Sequence, residues 1–320
     1  MQPSWRGCYN PSMHAEHGKP ISPSTGPSAD RGDFSQLRKT GERRGSTWAI
    51  GYPVGKARDQ LARALVRIGA TPNAITVAGL VLTCGAGVCL AVGGSHTFGR
   101  VEGLRSSLWC FIAFWLLFGA GACDMLDGAA ARVGGASTRF GQVLDSTLDR
   151  FSDCVPYLAL IVHFAWVGNA TLCALAGIAL VHAYSISYIK ARSDNLIDLG
   201  RVGWWQRPER CVAFLTGTLF GHMPALLWQQ ATVPFFTVVF RLRHSSAVIR
   251  AEEQGVELPD GGPLPGVWRY LAPWRHARGS LPYDSMVIVN IAWTIAAPWI
   301  WPFFYGRSDP LRALMDRCLA

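Results

Sequence analysis

Long apolar runs of roughly bilayer length recur along the chain, separated by short polar stretches. Runs at 72–92, 107–131, 140–167 and 172–189 are each near or above the ~20 residues that carry a helix across the hydrocarbon core. A fifth apolar run, 211–240, is interrupted by Gly221-His222-Met223-Pro224. Those breakers predict two short spans with a tight turn, one kinked long helix being the alternative. The pattern is that of an all-α integral membrane protein with about six transmembrane helices. Ahead of the first run, Val54, Ala57, Leu61, Leu65 and Ile68 fall at three- and four-residue spacing, with Lys56, Arg58, Arg63 and Arg67 on other faces. This predicts an N-terminal amphipathic helix lying in the membrane interface. Residues 1–52 have no apolar period and are predicted to be a disordered polar tail; no signal-peptide core is present. After a Pro/Gly-rich linker at 251–283, residues 285–304 are apolar again. They form a possible seventh, C-terminal hydrophobic helix, either spanning or interfacial. The chain therefore divides into a tail (1–52), a membrane domain (53–250) and a C-terminal extension (251–320).

Composition agrees. Half of the 320 residues are hydrophobic and only 16% are charged, too apolar a balance for an ordinary soluble domain. The formal charge of +9 fits cytoplasmic loops and anionic lipid, and no basic-aromatic stripe points to nucleic acid. Basic residues precede the first run, separate the second from the third and the fourth from the fifth, and follow the sixth, whereas 166–170 and 221–224 carry none. The positive-inside rule then places the 124–149 region and the basic loop 190–210 on the cytoplasmic side of the cell membrane. Arg100 and Arg105 run against it, and a spanning tail would leave Arg307, Arg312 and Arg317 outside. The nine cysteines are scattered with no Cys-x-x-Cys pair, so neither a zinc site nor a disulfide framework is indicated.

The chemistry concentrates in 124–149, where Asp124, Asp127, Asp145 and Asp149 lie within membrane-length apolar sequence. Intramembrane carboxylates are costly without a compensating cation. On a helix, Asp124, Asp127, Gly128, Ala131 and Arg132 share one face, and Gly141, Asp145, Asp149 and Asp153 form another stripe. Two such helices, joined by the glycine-containing link at 133–138, can oppose their carboxylates as an oxygen cage suited to Mg²⁺ or Mn²⁺. Gly128 admits close approach of a substrate, and Arg132 offers charge-assisted hydrogen bonds to phosphate. Asp153 reads as a supporting or capping carboxylate.

The unbroken series Asp124-x2-Asp127-Gly128-x2-Ala131-Arg132-x8-Gly141-x3-Asp145-x3-Asp149 resembles the signature of the CDP-alcohol phosphatidyltransferases. The resemblance implies transfer of a phosphatidyl group from CDP-diacylglycerol to an alcohol with release of CMP. It further implies two divalent ions held by overlapping sets of Asp124, Asp127, Asp145 and Asp149, with Asp149 also the general base. Asn73, Ala74, Ile75 and Thr76 match a donor-contacting segment, Thr138 a donor-contacting position, and Gly141 the place of cytidine. A homodimer is common in the family.

For the acceptor, Lys190, Arg192, Arg207 and Arg210 bring four cations to the mouth of the site, which suits an alcohol already bearing phosphate. These segments are most similar to the branch of the family that uses inositol 1-phosphate, where residues matching Lys190, Arg207 and Arg210 belong to the phosphate pocket; Ser187 and Arg192 are weaker matches. Ser193-Asp194 and Gln206 depart from that branch. Glycerol 3-phosphate is the alternative acceptor. An ion-coupled transporter is the alternative of another class, since intramembrane carboxylates also mark ion paths. A catalytically silent scaffold has no support, because every motif position is filled.

Overall fold

The computed structural model describes residues 46–94, 104–135, 138–197, 202–256, 280–300 and 308–319. The tail expected up to residue 52 lies mostly outside these, as do Arg100, Arg307 and most of the linker. The described residues are helical: α1 (Ser46–Arg67), α2 (Pro72–Gly93), α3 (Leu104–Val133), α4 (Arg139–Val167), α5 (Ala170–Ser193), α6 (Arg207–Phe220), α7 (Met223–Gln254), α8 (Leu281–Ile300) and α9 (Pro310–Leu319).

Local chemistry sets most of the boundaries. Thr71, Thr138 and Asn169 cap α2, α4 and α5, each side chain accepting from a backbone N–H in the first turn, the bond that satisfies an otherwise orphaned donor. Gly168 ends α4 and Gly221 ends α6 in the left-handed conformation, at φ 77° and 67°, which glycine adopts without a Cβ penalty. The 221–224 breakers thus separate two helices. The second outruns the expected span: it runs on through Pro234 and ends only at Gly255, so Arg241, Arg243 and Arg250 lie on the helix itself. At the other end of the chain, α1 begins at Ser46, because the spacing of Val54, Ala57 and Leu61 continues back through Ile50.

α2 packs against α3 and α4, α4 against α5, and α5 against α7; α6 meets α3, α7 and α8, and α1 lies along α3. The main core gathers Leu90, Tyr157, Leu160, Phe164, Leu172, Trp205, Met223 and Leu226. Close α2–α4 contact depends on Gly87, where a Cβ would stand 2.6 Å from Val155 Cγ1. Along α1, Ala62 is buried beside Ala129 and Ala130 of α3, while Val54, Leu61 and Ile68 form an exposed apolar row, as an interfacial helix requires.

Among the described residues, four helices are long and apolar enough to cross a membrane: α2, α3 from Leu108, α5 and α7. This is an all-α integral membrane protein. α4 falls short in composition because its first half carries Arg139, Asp145, Asp149, Arg150 and Asp153. α6, with 14 residues, reaches only about 21 Å.

The C-terminal extension runs the depth of this bundle. Near the head of α8, Tyr283 hydrogen-bonds Glu209 at the start of α6, the end that holds the aspartates. Farther along, the backbone oxygen of Thr294 meets Nδ1 of His222 at 3.1 Å, in the α6–α7 turn, and Gln229 bonds Asn290 and Thr294. Twenty residues rise about 30 Å, a hydrocarbon thickness. Beyond α8, Asp309 caps α9 through Arg312 N and also accepts from Ala170 N and Thr171 N at the start of α5, the end remote from the aspartates. The tail therefore ends at the end of the bundle opposite the aspartate cluster. Those capping bonds supply the local reason. In sealed vesicles of single-cysteine protein, Cys318 should react with a membrane-impermeant maleimide from the side opposite a cysteine placed at Val133. Labelling of both from one side contradicts this arrangement.

Candidate active site

α3 delivers Asp124 and Asp127 in its last turns, and α4 returns Asp145, Asp149 and Asp153 on successive turns. Carboxylate oxygens of Asp124, Asp127 and Asp145 converge within 4.8 Å of one another. Asp127 is the most buried of the three at 3% exposure. Its Oδ2 accepts from Thr76 Oγ1 at 2.8 Å and its Oδ1 from Gly128 N, which fixes the carboxylate against the head of α2. Three convergent hard oxygen donors, one oriented by a neighbouring hydroxyl, fit a divalent metal ion.

Arg207 faces this cluster from α6. Its Nη1 donates to Asp124 Oδ1 and to Asp149 Oδ2, both at 2.9 Å. Nη2 lies 2.9 Å from Asp149 Oδ1, so Asp149 is gripped in bidentate fashion. Nε donates to Asp153 Oδ1 at 3.2 Å, and Asp153 Oδ2 accepts from Arg210 Nη2 at 2.8 Å. Asp153 thus joins both arginines, a role that the aspartate stripe alone leaves open. The expected set of four ligands divides accordingly: Asp124, Asp127 and Asp145 converge, and Asp149 stands beside them on Arg207. A cleft opens over the group, lined by Thr76, Leu80, Asp124, Asp127, Asp149, Asp153, Pro156, Tyr157, Arg207, Arg210 and Phe214. Apolar and ionic walls in one cleft suit a substrate with a lipid part and a charged part.

Other expected residues fall in two groups. Asn73, Thr138 and Gly141 come together: Gly141 N donates to Thr138 Oγ1 at 2.9 Å. A Cβ on Gly141 would lie 2.9 Å from that oxygen and 3.3 Å from Asn73 Oδ1, so only glycine leaves this space open. Ala74 and Ile75 fill the first turn of α2, Ile75 buried against Leu126. Arg132 is exposed in the last turn of α3. The second group is the basic end of α5. Lys190 is paired with Asp194 at 3.3 Å, Arg192 is exposed, and the Ser187 hydroxyl is bonded to Ala183 O. None of these three lines the cleft.

Helices of membrane length, ending in a carboxylate cluster faced by two arginines, define a membrane-embedded enzyme that works on phosphate-bearing substrates. The chain belongs to the CDP-alcohol phosphatidyltransferase family, whose sequence profile matches residues 70–249. A phosphatidylinositol phosphate synthase of Mycobacterium bovis is 36% identical over 172 residues, which are 53% of this chain and 73% of that protein. Crystal structures of the Mycobacterium tuberculosis phosphatidylinositol phosphate synthase are also similar. One, with CDP-DAG bound, has 31% identity and a TM-score of 0.51, covering 59% of this chain and 94% of that one. Another, in complex with manganese and citrate, has 31% identity and a TM-score of 0.50, covering 59% and 88%. The protein is therefore a phosphotransferase of phospholipid biosynthesis, and the ion-transport reading is set aside.

Replacing Thr76 with Val removes the hydroxyl that orients Asp127. Mn²⁺ affinity should fall about tenfold, read by electron paramagnetic resonance of free Mn²⁺, with secondary structure unchanged.

Proposed function

We infer that the protein transfers the phosphatidyl group of CDP-diacylglycerol to the hydroxyl of a phosphorylated polyol, with inositol 1-phosphate the best match, releasing CMP. The observation that carries the acceptor assignment is the convergence of Arg207 and Arg210 on the aspartate cluster. Two fixed guanidinium groups beside the reacting centre suit an alcohol that brings its own phosphate. The names of the similar mycobacterial enzymes point the same way.

Asp124, Asp127 and Asp145, with Asp149 at their edge, would hold Mg²⁺ or Mn²⁺, two ions being the number that offsets four carboxylates. Bound there, the metal supplies charge for the pyrophosphate oxygens and acidifies a nearby hydroxyl. The acceptor hydroxyl oxygen attacks the lipid-side phosphorus, its proton passing to Asp149. The bond from that phosphorus to the CMP oxygen breaks and CMP leaves with the electron pair. Arg207 spans Asp149 and Asp124, so it holds the base in register with the metal ligands. Asn73, Thr138 and Gly141 form a small polar corner where cytidine would fit; Gly128 gives the donor room and Arg132 binds its pyrophosphate. Lys190 extends the positive field of the acceptor's entry path. The active site faces the cytoplasm, where the nucleotide donor's headgroup and CMP exchange with water, and the enzyme works as a homodimer.

The test is CMP release by purified protein with CDP-diacylglycerol and Mg²⁺, comparing inositol 1-phosphate, glycerol 3-phosphate, free inositol and serine. Activity is expected with inositol 1-phosphate, reduced at least ~100-fold in Asp149→Asn by loss of the base. Preference for glycerol 3-phosphate or for an unphosphorylated alcohol would contradict the acceptor assignment.

A further inference from the structure

The first turn of α6 carries both cleft arginines, yet it lacks the usual means of holding a helix start. The first backbone N–H groups of any helix have no partner within it, and a capping side chain normally supplies one. Gln206, at the cap position of α6, makes no such bond; its side-chain nitrogen donates to Gly203 O instead. Side-chain contacts secure the turn from two sides. One is the cleft side, where Arg207 bridges Asp124, Asp149 and Asp153 and Arg210 bridges Asp153. The other comes from the extension: the Tyr283 hydroxyl donates to Glu209 Oε1, on the residue between Arg207 and Arg210.

The extension lies beyond residue 249, where the family match ends. Two polar side chains at the head of α8 are nevertheless buried: Ser280 and Asp284 are 0% and 1% exposed, whereas Leu281, Ile288, Val289, Trp299 and Ile300 face outward. Glu209 is itself buried, 8% exposed. Eight buried side-chain polar atoms among the described residues make no hydrogen bond within the chain. Trp204 Nε1, Glu209 Oε2, Arg210 Nη1 and Ser280 Oγ, half of that number, belong to the two segments that the Tyr283–Glu209 bond joins. Unmet buried groups are rare in folded proteins and mark the places that await a polar partner. Arg210, 3% exposed, also lines the cleft.

We propose that the head of α8 is part of this chain's acceptor site. Tyr283 is a positioning residue that, through Glu209, fixes the first turn of α6 and so aims Arg207 and Arg210 at the acceptor's phosphate. Asp153 restrains the arginines from the front and Tyr283 restrains their turn from behind. The inference rests on the acceptor reading given above, and a paired experiment separates the two.

Full-length Tyr283→Phe and Arg210→Lys are assayed with inositol 1-phosphate and CDP-diacylglycerol, and Mn²⁺ affinity is measured on the same preparations. Removing a hydrogen bond to a carboxylate, felt at one remove, should raise the KM for inositol 1-phosphate about tenfold in Tyr283→Phe. Its kcat, its KM for CDP-diacylglycerol and its Mn²⁺ affinity stay within about twofold, and Glu209→Gln, which keeps an acceptor oxygen without the charge, gives a smaller rise. A raised KM in Arg210→Lys with none in Tyr283→Phe overturns the role of α8 and leaves the acceptor reading standing. No rise in either variant overturns both. An equal loss in Tyr283→Phe of kcat, donor affinity and metal affinity marks a general structural prop and also overturns the proposal.

Discussion

Everything in this molecule answers to the problem of keeping carboxylates in helices that cross a bilayer. An ionised Asp at the centre of such a helix costs roughly 2.5–3.5 kcal/mol on insertion scales, and here five acidic side chains stand on the facing stretches of α3 and α4. The arrangement persists because each has a counterpart. Arg207 takes Asp124, Asp149 and Asp153, Arg210 takes Asp153 as well, and Asp124, Asp127 and Asp145 converge where a divalent cation fits. Thr76 holds Asp127 in place, so α2 also contributes to the centre. The short helix α6 is set by the same demand: it brings two guanidinium groups to the cluster.

The remaining helices hold α6 and the 202–206 stretch in position. Arg241, buried within α7, donates to Val202 O at 2.8 Å and to Ile186 O, tying the end of α5 to the segment that leads into α6. Trp205 is anchored by Thr237 Oγ1 and Gln230 Oε1, and Tyr157 on α4 reaches the same Gln230 oxygen. A buried polar seam thus runs between α4, α7 and the approach to the site. Buried polar groups joined in this way favour one arrangement of the elements over others. The extension adds α8 to this scaffold on the outer side of α6, and α9 closes the opposite end over the start of α5.

Much of this was legible in the sequence, for identifiable reasons. A membrane helix announces itself by length and apolarity, and acidic residues within one are so unfavourable that their spacing is informative: Asp124, Asp127 and Asp145 converge as the two stripes imply. Gly221 with Pro224 marks a break that the fold contains. Long-range partners were less accessible. Arg207 and Arg210 were read as cations at the mouth of the site, but nothing local says that α6 will turn them onto Asp149 and Asp153. Lys190 pairs with Asp194 four residues on, the spacing at which a helical ion pair forms. The bond between Tyr283 and Glu209 joins residues 74 apart, with no periodicity to reveal it. The course of the tail was hidden for a related reason. The caps given by Asp309 and the contacts of α8 to His222 and Gln229 are tertiary.

The central claim is that the aspartate cluster is a metal centre. It is tested most directly by crystals of the protein grown with Mn²⁺ and measured at the manganese absorption edge. The account predicts an anomalous-difference peak bonded to oxygens of Asp124, Asp127 and Asp145, absent when Asp127 is replaced by Asn. Well-ordered carboxylates without such a peak, or manganese bound only elsewhere, would contradict it.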